Sequence, residues 1–269
     1  MPKSSCTVSF IIPALNEKVV IEGVVREIWA TVDELIDVYE IILVDDGSTD
    51  GTGEIMERLA AELRNVRVLH HDRNRGLGSS YQHGLQHARF DYVMMLCGDG
   101  GLPAPSLPAI IAQIGRADIV VPYMLNLRAI KTPTRYLVSR TYTWLLNRLS
   151  GHRLKYYNGL PVHRREYLKR IEITSSGFGF QGEILIKLLK SGCSYIQVPV
   201  QGAEFTKNSS AFRLKNVGSV SHTLLRLVIE LWRFSGLNLS TQQPVEDDRL
   251  GVGAESAAEL EVERVRASS

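Results

Sequence analysis

The run Ile41-Ile42-Leu43-Val44 ends abruptly in Asp45-Asp46-Gly47-Ser48-Thr49-Asp50-Gly51. Four apolar residues rich in β-branching read as a buried strand. The polar residues after them read as a tight turn, with Asp50 placed to cap a following helix. Carboxylates at the carboxyl end of a parallel strand sit where open α/β sheets bind ligands. Upstream, Val8-Ser9-Phe10-Ile11-Ile12 runs into Pro13-Ala14-Leu15-Asn16-Glu17, a second strand that stops at polar residues. Asn16, Glu17, Asp45 and Asp46 would then form one polar rim suited to a nucleobase and ribose. Taken alone, Asp45-Asp46-Gly47 is better read as a solvated turn.

Two further strand ends change that weighing. Val66-Arg67-Val68-Leu69 leads to Arg73-Asn74-Arg75-Gly76, a basic loop that opens a helix, and Tyr92-Val93-Met94-Met95-Leu96 leads to Cys97-Gly98-Asp99-Gly100-Gly101. The alternation predicts strands near 7–12, 40–44, 66–70, 92–96 and 118–121 with helices between them, hence an α/β fold with a mostly parallel, doubly wound sheet. A dinucleotide-binding dehydrogenase is a poor competitor, because Pro-Ala-Leu-Asn-Glu follows the first strand where a glycine fingerprint would stand. No Gly-Lys-Ser/Thr of a phosphate-binding loop occurs. A receiver domain would carry its paired acids after the first strand, not the second.

Pro-Ala-Leu-Asn-Glu, Val-Asp-Asp-Gly-Ser-Thr-Asp and Arg-Asn-Arg-Gly together resemble the family 2 glycosyltransferases of the GT-A (Rossmann-like) fold, and among them dolichol-phosphate mannose synthases and bacterial polyprenyl-phosphate glycosyltransferases. The resemblance covers roughly residues 7–215. It implies that Pro13, Asn16, Glu17, Asp45, Asp46, Gly47, Ser48, Asn74 and Gly76 line the nucleotide site, and that Asp99 ends the Asp-X-Asp motif that binds metal and diphosphate. Cys97 stands where the first acid of that motif is usual. Mg²⁺ and Mn²⁺ favour oxygen ligands, so a thiol there implies a weakened divalent-cation site held by Asp99. A free cysteine is more often a small buried apolar side chain, and that reading is favoured for Cys97.

Beyond Val121 the pattern changes to an acceptor half, about 123–215, set against a nucleotide half of about 1–122. Arg128 to Ser150 reads as one helix of mixed basic and aromatic character, and 216–239 reads as an apolar helix interrupted by Arg226 and Arg233. Both suit a membrane interface, while packing against the chain's own core, a second copy or a membrane subunit is at least as good a reading of either alone. Gly177 to Glu183 opens a helix running to Gly192, and Tyr195 to Val200 is a strand, following the family's Phe-X-Phe-Gln-X-Glu and Val-Pro-Val pattern. Glu183 is the acid placed to act as a base or to orient a catalytic group, or is simply a first-turn glutamate favouring the helix dipole. His70, His71 and His163 show no partner in the sequence and read as structural. In the loop after Val200 the resemblance implies a cationic clamp on the diphosphate. Glu204 replaces its usual arginine, which leaves Lys207 and Arg213 to take that role.

Net charge is +2, yet residues 240–269 carry −4 and read as an acidic disordered tail, leaving +6 on the body. Such a body suits phosphate-rich substrates and anionic membrane surfaces; no nucleic-acid partner is expected. Three scattered cysteines form neither a disulfide framework nor a zinc site, and Met1-Pro2-Lys3-Ser4-Ser5 leads straight into a strand, so a cytoplasmic, peripherally membrane-bound protein is expected. The combined reading is an inverting transfer of a hexose from a GDP- or UDP-sugar to a polyprenyl phosphate. A phosphate acceptor is already an anion and needs no base, whereas a glycan or small-molecule hydroxyl would need Glu183. A noncatalytic nucleotide-sugar-binding protein, its metal chemistry lost at Cys97, is the rival from another class.

Overall fold

The computed structural model describes residues 3–202 except Ser176 and Phe178. Lys207, Arg213, the helix expected over 216–239 and the acidic tail over 240–269 lie outside the described residues. Strands β1 (Val8–Ala14) and β2 (Tyr39–Asp45) are buried at every position. They pair in parallel with Pro13 opposite Val44 and Ala14 opposite Asp45. β1 runs two residues past its expected end, because the carbonyls of Pro13 and Ala14 still accept the amides of Gly98 and Asp46. Strand β3 (Val66–His70) flanks β2, and β4 (Tyr92–Met95) flanks β1 on the other side.

The sheet has seven strands in the order β3-β2-β1-β4-β6-β5-β7. All pairings are parallel except those of β6 (Val162–Arg164), which runs antiparallel between β4 and β5 (Ile119–Met124). Three residues are too few to show a period, so no strand is expected there and tertiary pairing alone fixes it. Strand β7 (Tyr195–Val200), anticipated with its bounds, closes the edge beside β5.

Helix α1 (Ile21–Leu35) buries Ile21, Val25, Ile28 and Val32, a stripe with helical spacing. Helix α2 (Thr52–Glu62) begins after Gly51, whose φ of 97° makes it, not Asp50, the N-cap residue. Asp50 nevertheless accepts the Thr52 amide at 3.0 Å and the Thr52 hydroxyl at 2.6 Å, so it satisfies a first-turn donor from one position farther out. Helix α3 (Leu77–His87) lies so close to β1 that a Cβ at Gly84 would come within 2.5 Å of Ile11 Cγ2.

The helix expected over 128–150 is two helices, α5 (Leu127–Ile130) and α6 (Pro133–Ser150), after the short α4 (Leu107–Ile111). Pro133 has no amide to donate and opens α6, while Thr132 caps it by accepting from the Arg135 amide. Lys131 is thereby left in the break. A single turn, α7 (Arg165–Leu168), follows β6, and α8 (Phe180–Lys190) starts three residues after Gly177. Phe180 through Leu189 are all buried, which makes α8 a core helix.

His163 faces Val93 of β4 and Ile119 of β5, is buried, and neither ring nitrogen has a hydrogen-bond partner. Burial pushes its pKa down to about 3. The folded ring therefore stays neutral where the unfolded chain, with an ordinary pKa of about 6.5, takes a proton. Stability from this group is whole above that value and declines as pH falls toward 3, by up to about 1.4 kcal/mol per pH unit. Urea unfolding at pH 5 and 7 is expected to show a loss of about 2 kcal/mol in the parent that His163→Leu largely removes. Equal losses in the two proteins would contradict this.

Candidate active site at the carboxyl rim of the sheet

Because β1, β2, β3, β4, β5 and β7 point the same way, their carboxyl ends deliver their loops to one rim. The loops after β1 and β2 interlock. Asn16, at φ 55°, donates its amide to Ser48 Oγ at 3.0 Å, and its side-chain oxygen accepts the Thr49 amide at 2.9 Å. The Glu17 amide reaches Thr52 Oγ1 at 2.9 Å and the Lys18 amide reaches Asp50 at 3.2 Å. The Glu17 carboxyl is held above its usual range by burial, then by the charges of Asp99 and Asp50, which places it among the rim acids.

Asp45 and Asp46 are buried and have partners within the chain. Asp45 accepts the Ser48 amide at 3.0 Å and lies 3.2 Å from His70 Nδ1, while His70 Nε2 lies 2.6 Å from Glu57. The bond to Glu57, and then that to Asp45, raise the His70 pKa against the opposing effect of burial. Asp46 takes His71 Nδ1 and the Arg75 amide on one oxygen, each at 2.8 Å, and the Gly76 amide on the other at 2.9 Å. Asn74 also accepts the Gly76 amide, at 2.9 Å. Thus His70 and His71, expected to lack partners, sit directly on the two acids, because parallel pairing sets His70 opposite Asp45.

Two glycines in this region have a steric reason to be glycine. A Cβ at Gly47, where φ is 74°, would lie 2.5–2.8 Å from backbone atoms of Arg73 and Asn74. Gly76 has φ 91° and ψ 158°, a conformation that side chains exclude. The β2 and β3 loops are therefore in backbone contact, with Asp46 as their common acceptor. Pro13 lies buried in β1 and supports the floor of the rim.

At the end of β4, Asp99 is exposed and its Oδ1 accepts the Gly101 amide at 3.0 Å. A Cβ at Gly98 would lie 2.9 Å from Ala14 Cβ and 3.0 Å from the Pro13 carbonyl, so this loop is pressed onto the end of β1. Burial, then the charges of Asp99 and Glu17, push the Cys97 thiol well above its ordinary range. It stays a neutral thiol. Among the described residues no cluster of three or more His, Cys, Asp or Glu side chains is arranged to hold a metal ion.

The acceptor side of the rim is cationic. Lys131, in the α5–α6 break, donates to Ser139 at 3.0 Å and to Tyr156 at 3.1 Å, and its ammonium lies 5.0 Å from the centre of the Tyr156 ring. Burial, then the Arg135 charge, bring its pKa down to about 8. Asn126 exchanges two 2.8 Å hydrogen bonds with Gly202, joining the ends of β5 and β7 nearby. Glu183 is fully buried, ion-paired with Lys187, and accepts the amides of Thr174 and Ser175 at 2.9 Å each. Burial alone would raise its pKa, but these bonds outweigh it and hold the carboxylate low. A carboxylate so enclosed orients the 172–175 segment; it is not an exposed base. Lys187, four residues on, was the sequence signal for this role.

Residues 9–176, more than half of the chain, match the family model described as Glycosyl transferase family 2. An undecaprenyl-phosphate mannosyltransferase of Micrococcus luteus is 27% identical over 207 residues, 72% of this chain and 82% of that protein. A polyprenol monophosphomannose synthase of Mycolicibacterium smegmatis is 27% identical over 208 residues, covering 72% and 76%. Among solved structures, glucosyl-3-phosphoglycerate synthase of Mycobacterium tuberculosis, in complex with Mn²⁺, UDP-glucose and phosphoglyceric acid, aligns with a TM-score of 0.64 over 84% of this chain and 79% of that one. At 22% identity this likeness establishes the shared GT-A fold. The chain belongs to glycosyl transferase family 2 and is a glycosyltransferase.

Proposed function

We propose that the enzyme transfers a hexose, with inversion, from a UDP- or GDP-sugar to a polyprenyl phosphate at an anionic, cytoplasmic membrane surface. The observation that carries this reading is the composition of the acceptor flank. Residues 119–165 contain no Asp or Glu and nine Lys or Arg, among them the half-buried Lys131. With Glu183 enclosed in its ion pair, this flank supplies cations to receive an anionic nucleophile and no exposed carboxylate to deprotonate a hydroxyl. The relatives named for undecaprenyl phosphate and polyprenol support the same acceptor class.

The donor side has the opposite balance. Residues 1–118 hold seventeen Asp or Glu against ten Lys or Arg, a net −7. A diphosphate bound there needs compensating positive charge. Asp99 is exposed at the rim with Glu17 in electrostatic reach, and this oxygen donor set fits a divalent ion that takes its remaining ligands from phosphate and water. Such an ion would neutralise the departing diphosphate. The neutral Cys97 thiol adds no hard ligand, so binding of the ion is weak. Asp45, Asn16, Ser48 and the Asn74–Gly76 turn shape the nucleoside pocket, and Lys207 and Arg213 supplement the charge.

The outer face of α6 suits a bilayer. Leu137, Val138 and Trp144 are 67%, 57% and 66% exposed, and Arg135, Arg140 and Arg148 are exposed around them. No helix among the described residues is long and apolar enough to cross a membrane.

With Mn²⁺, labelled UDP- or GDP-hexose and polyprenyl phosphate in detergent, label is expected in the organic phase. Asp99→Asn should lower kcat/KM about 100-fold, and Cys97→Asp should lower the Mn²⁺ concentration that gives half-maximal rate. Transfer only to a soluble acceptor, or none with any donor, would overturn the reading. The protein should also cosediment with anionic vesicles at low salt and be released at high salt, and Leu137→Ser/Trp144→Ser should weaken this. A protein that stays in the supernatant at low salt has its α6 face turned to another use.

A further inference from the structure

We propose that His71 and His83 are positioning residues for the nucleotide site, forming with Asp46 a relay that fixes the Arg75–Gly76 turn. The inference rests on the nucleotide reading above for its purpose, and on geometry alone for the relay. His71 Nδ1 lies 2.8 Å from Asp46 and His71 Nε2 lies 2.9 Å from His83 Nδ1. The two rings stack with centroids 4.9 Å apart and an interplanar angle of 15°.

Proton placement follows from the acceptor at one end. A carboxylate only accepts, so His71 Nδ1 carries a hydrogen. With a neutral His71 ring, Nε2 is then the acceptor and His83 Nδ1 the donor to it; a protonated ring would reverse that bond. The proposed relay therefore has both imidazoles as Nδ1–H tautomers, with every bond running toward Asp46. Burial, and then the nearby His71, His87 and Arg75, lower the His83 pKa, which favours the neutral form of the second ring. The same Asp46 carboxylate accepts the Arg75 and Gly76 amides, and the Gly47–Arg73 contact leaves the turn no room to shift toward β2. His71 therefore orients the acceptor on which that backbone hangs, and His83 fixes the orientation of His71.

The fold permits conservative tests. His83 is half-buried beside a cavity of about 270 Å³ that His71, Arg75, Ser79, Gln82 and Gln86 also line, so a smaller side chain is accommodated there. Asparagine places its amide nitrogen near the position of Nδ1, so His71→Asn and His83→Asn keep the donor that leucine removes. Binding of UDP and GDP is measured calorimetrically in the full chain with Mn²⁺, alongside ¹⁵N NMR of the histidine rings. His71→Leu should weaken nucleoside diphosphate binding about tenfold and His83→Leu about threefold, on the scale of one charge-linked and one neutral hydrogen bond. The asparagine variants should stay near the parent, and the NMR spectrum should show Nδ1–H on both rings.

Leucine variants that fold and bind as the parent does would overturn the positioning role while leaving the nucleotide site standing. An Nε2–H on His71 would overturn the relay even if no variant folds. A parent that binds neither nucleotide would overturn both the positioning role and the nucleotide reading.

Discussion

Asp46 follows a strand with no exposed residue, so its charge cannot be met by water and has to be met by donors from the chain. Three groups from the β3 side supply them: the His71 ring and the Arg75 and Gly76 amides. Much follows from that demand. The turn must bring two successive amides to one carboxylate, which calls for the unusual conformation of Gly76. The two loops must touch, which leaves no space for a side chain at Gly47. The Asn16–Ser48 and Asn16–Thr49 bonds then carry the same rigidity across to β1.

Charge divides the molecule more sharply than its net value of +2 suggests. The donor half gathers carboxylates at strand ends, where they shape loops; burial first, and then the charges of Asp99 and Asp50, raise the Glu17 carboxyl. The acceptor half has hydroxyls and aromatic rings around its cations: Lys131 on Tyr156 and Ser139, Lys155 on Tyr123. For Lys131, hydroxyl partners satisfy the ammonium's hydrogen bonds without cancelling its charge. The buried Glu183–Lys187 pair serves the backbone of a loop, while Arg164 on β6 is compensated by Asp118.

The sheet was largely legible in the sequence because its inner strands are apolar runs that stop at turn residues; Ile41 to Gly51 is the clearest case. Where the reading failed, the deciding contact is remote in sequence. β6 is three residues long and exists because β4 and β5 both pair with it. The aspartates that bind His70 and His71 lie 25 residues away and are brought there by strand register. Two misses had local signals. Pro133 marked the break before α6, and Lys187 stood one helical turn from Glu183. The chemistry of the rim was legible as a set of residue types, but which of them face a ligand and which hold the loops depends on packing that no motif states.

Residues 1–118 carry −7 and residues 119–165 carry +9, so charge is strongly divided along this part of the chain. Near a negatively charged sheet of lipid headgroups, such a body experiences a torque before any contact forms, within about one Debye length of 8–10 Å at ordinary ionic strength. On the proposed membrane role, that torque would turn the acid-free flank toward the surface and the carboxylate-rich half toward bulk solvent. Two anionic substrates could then approach from opposite sides, one from the lipid layer and one from solution, without competing for the same field. Alignment of this kind acts on the rate of productive encounter, and ionic strength would set that rate without altering a single side-chain contact.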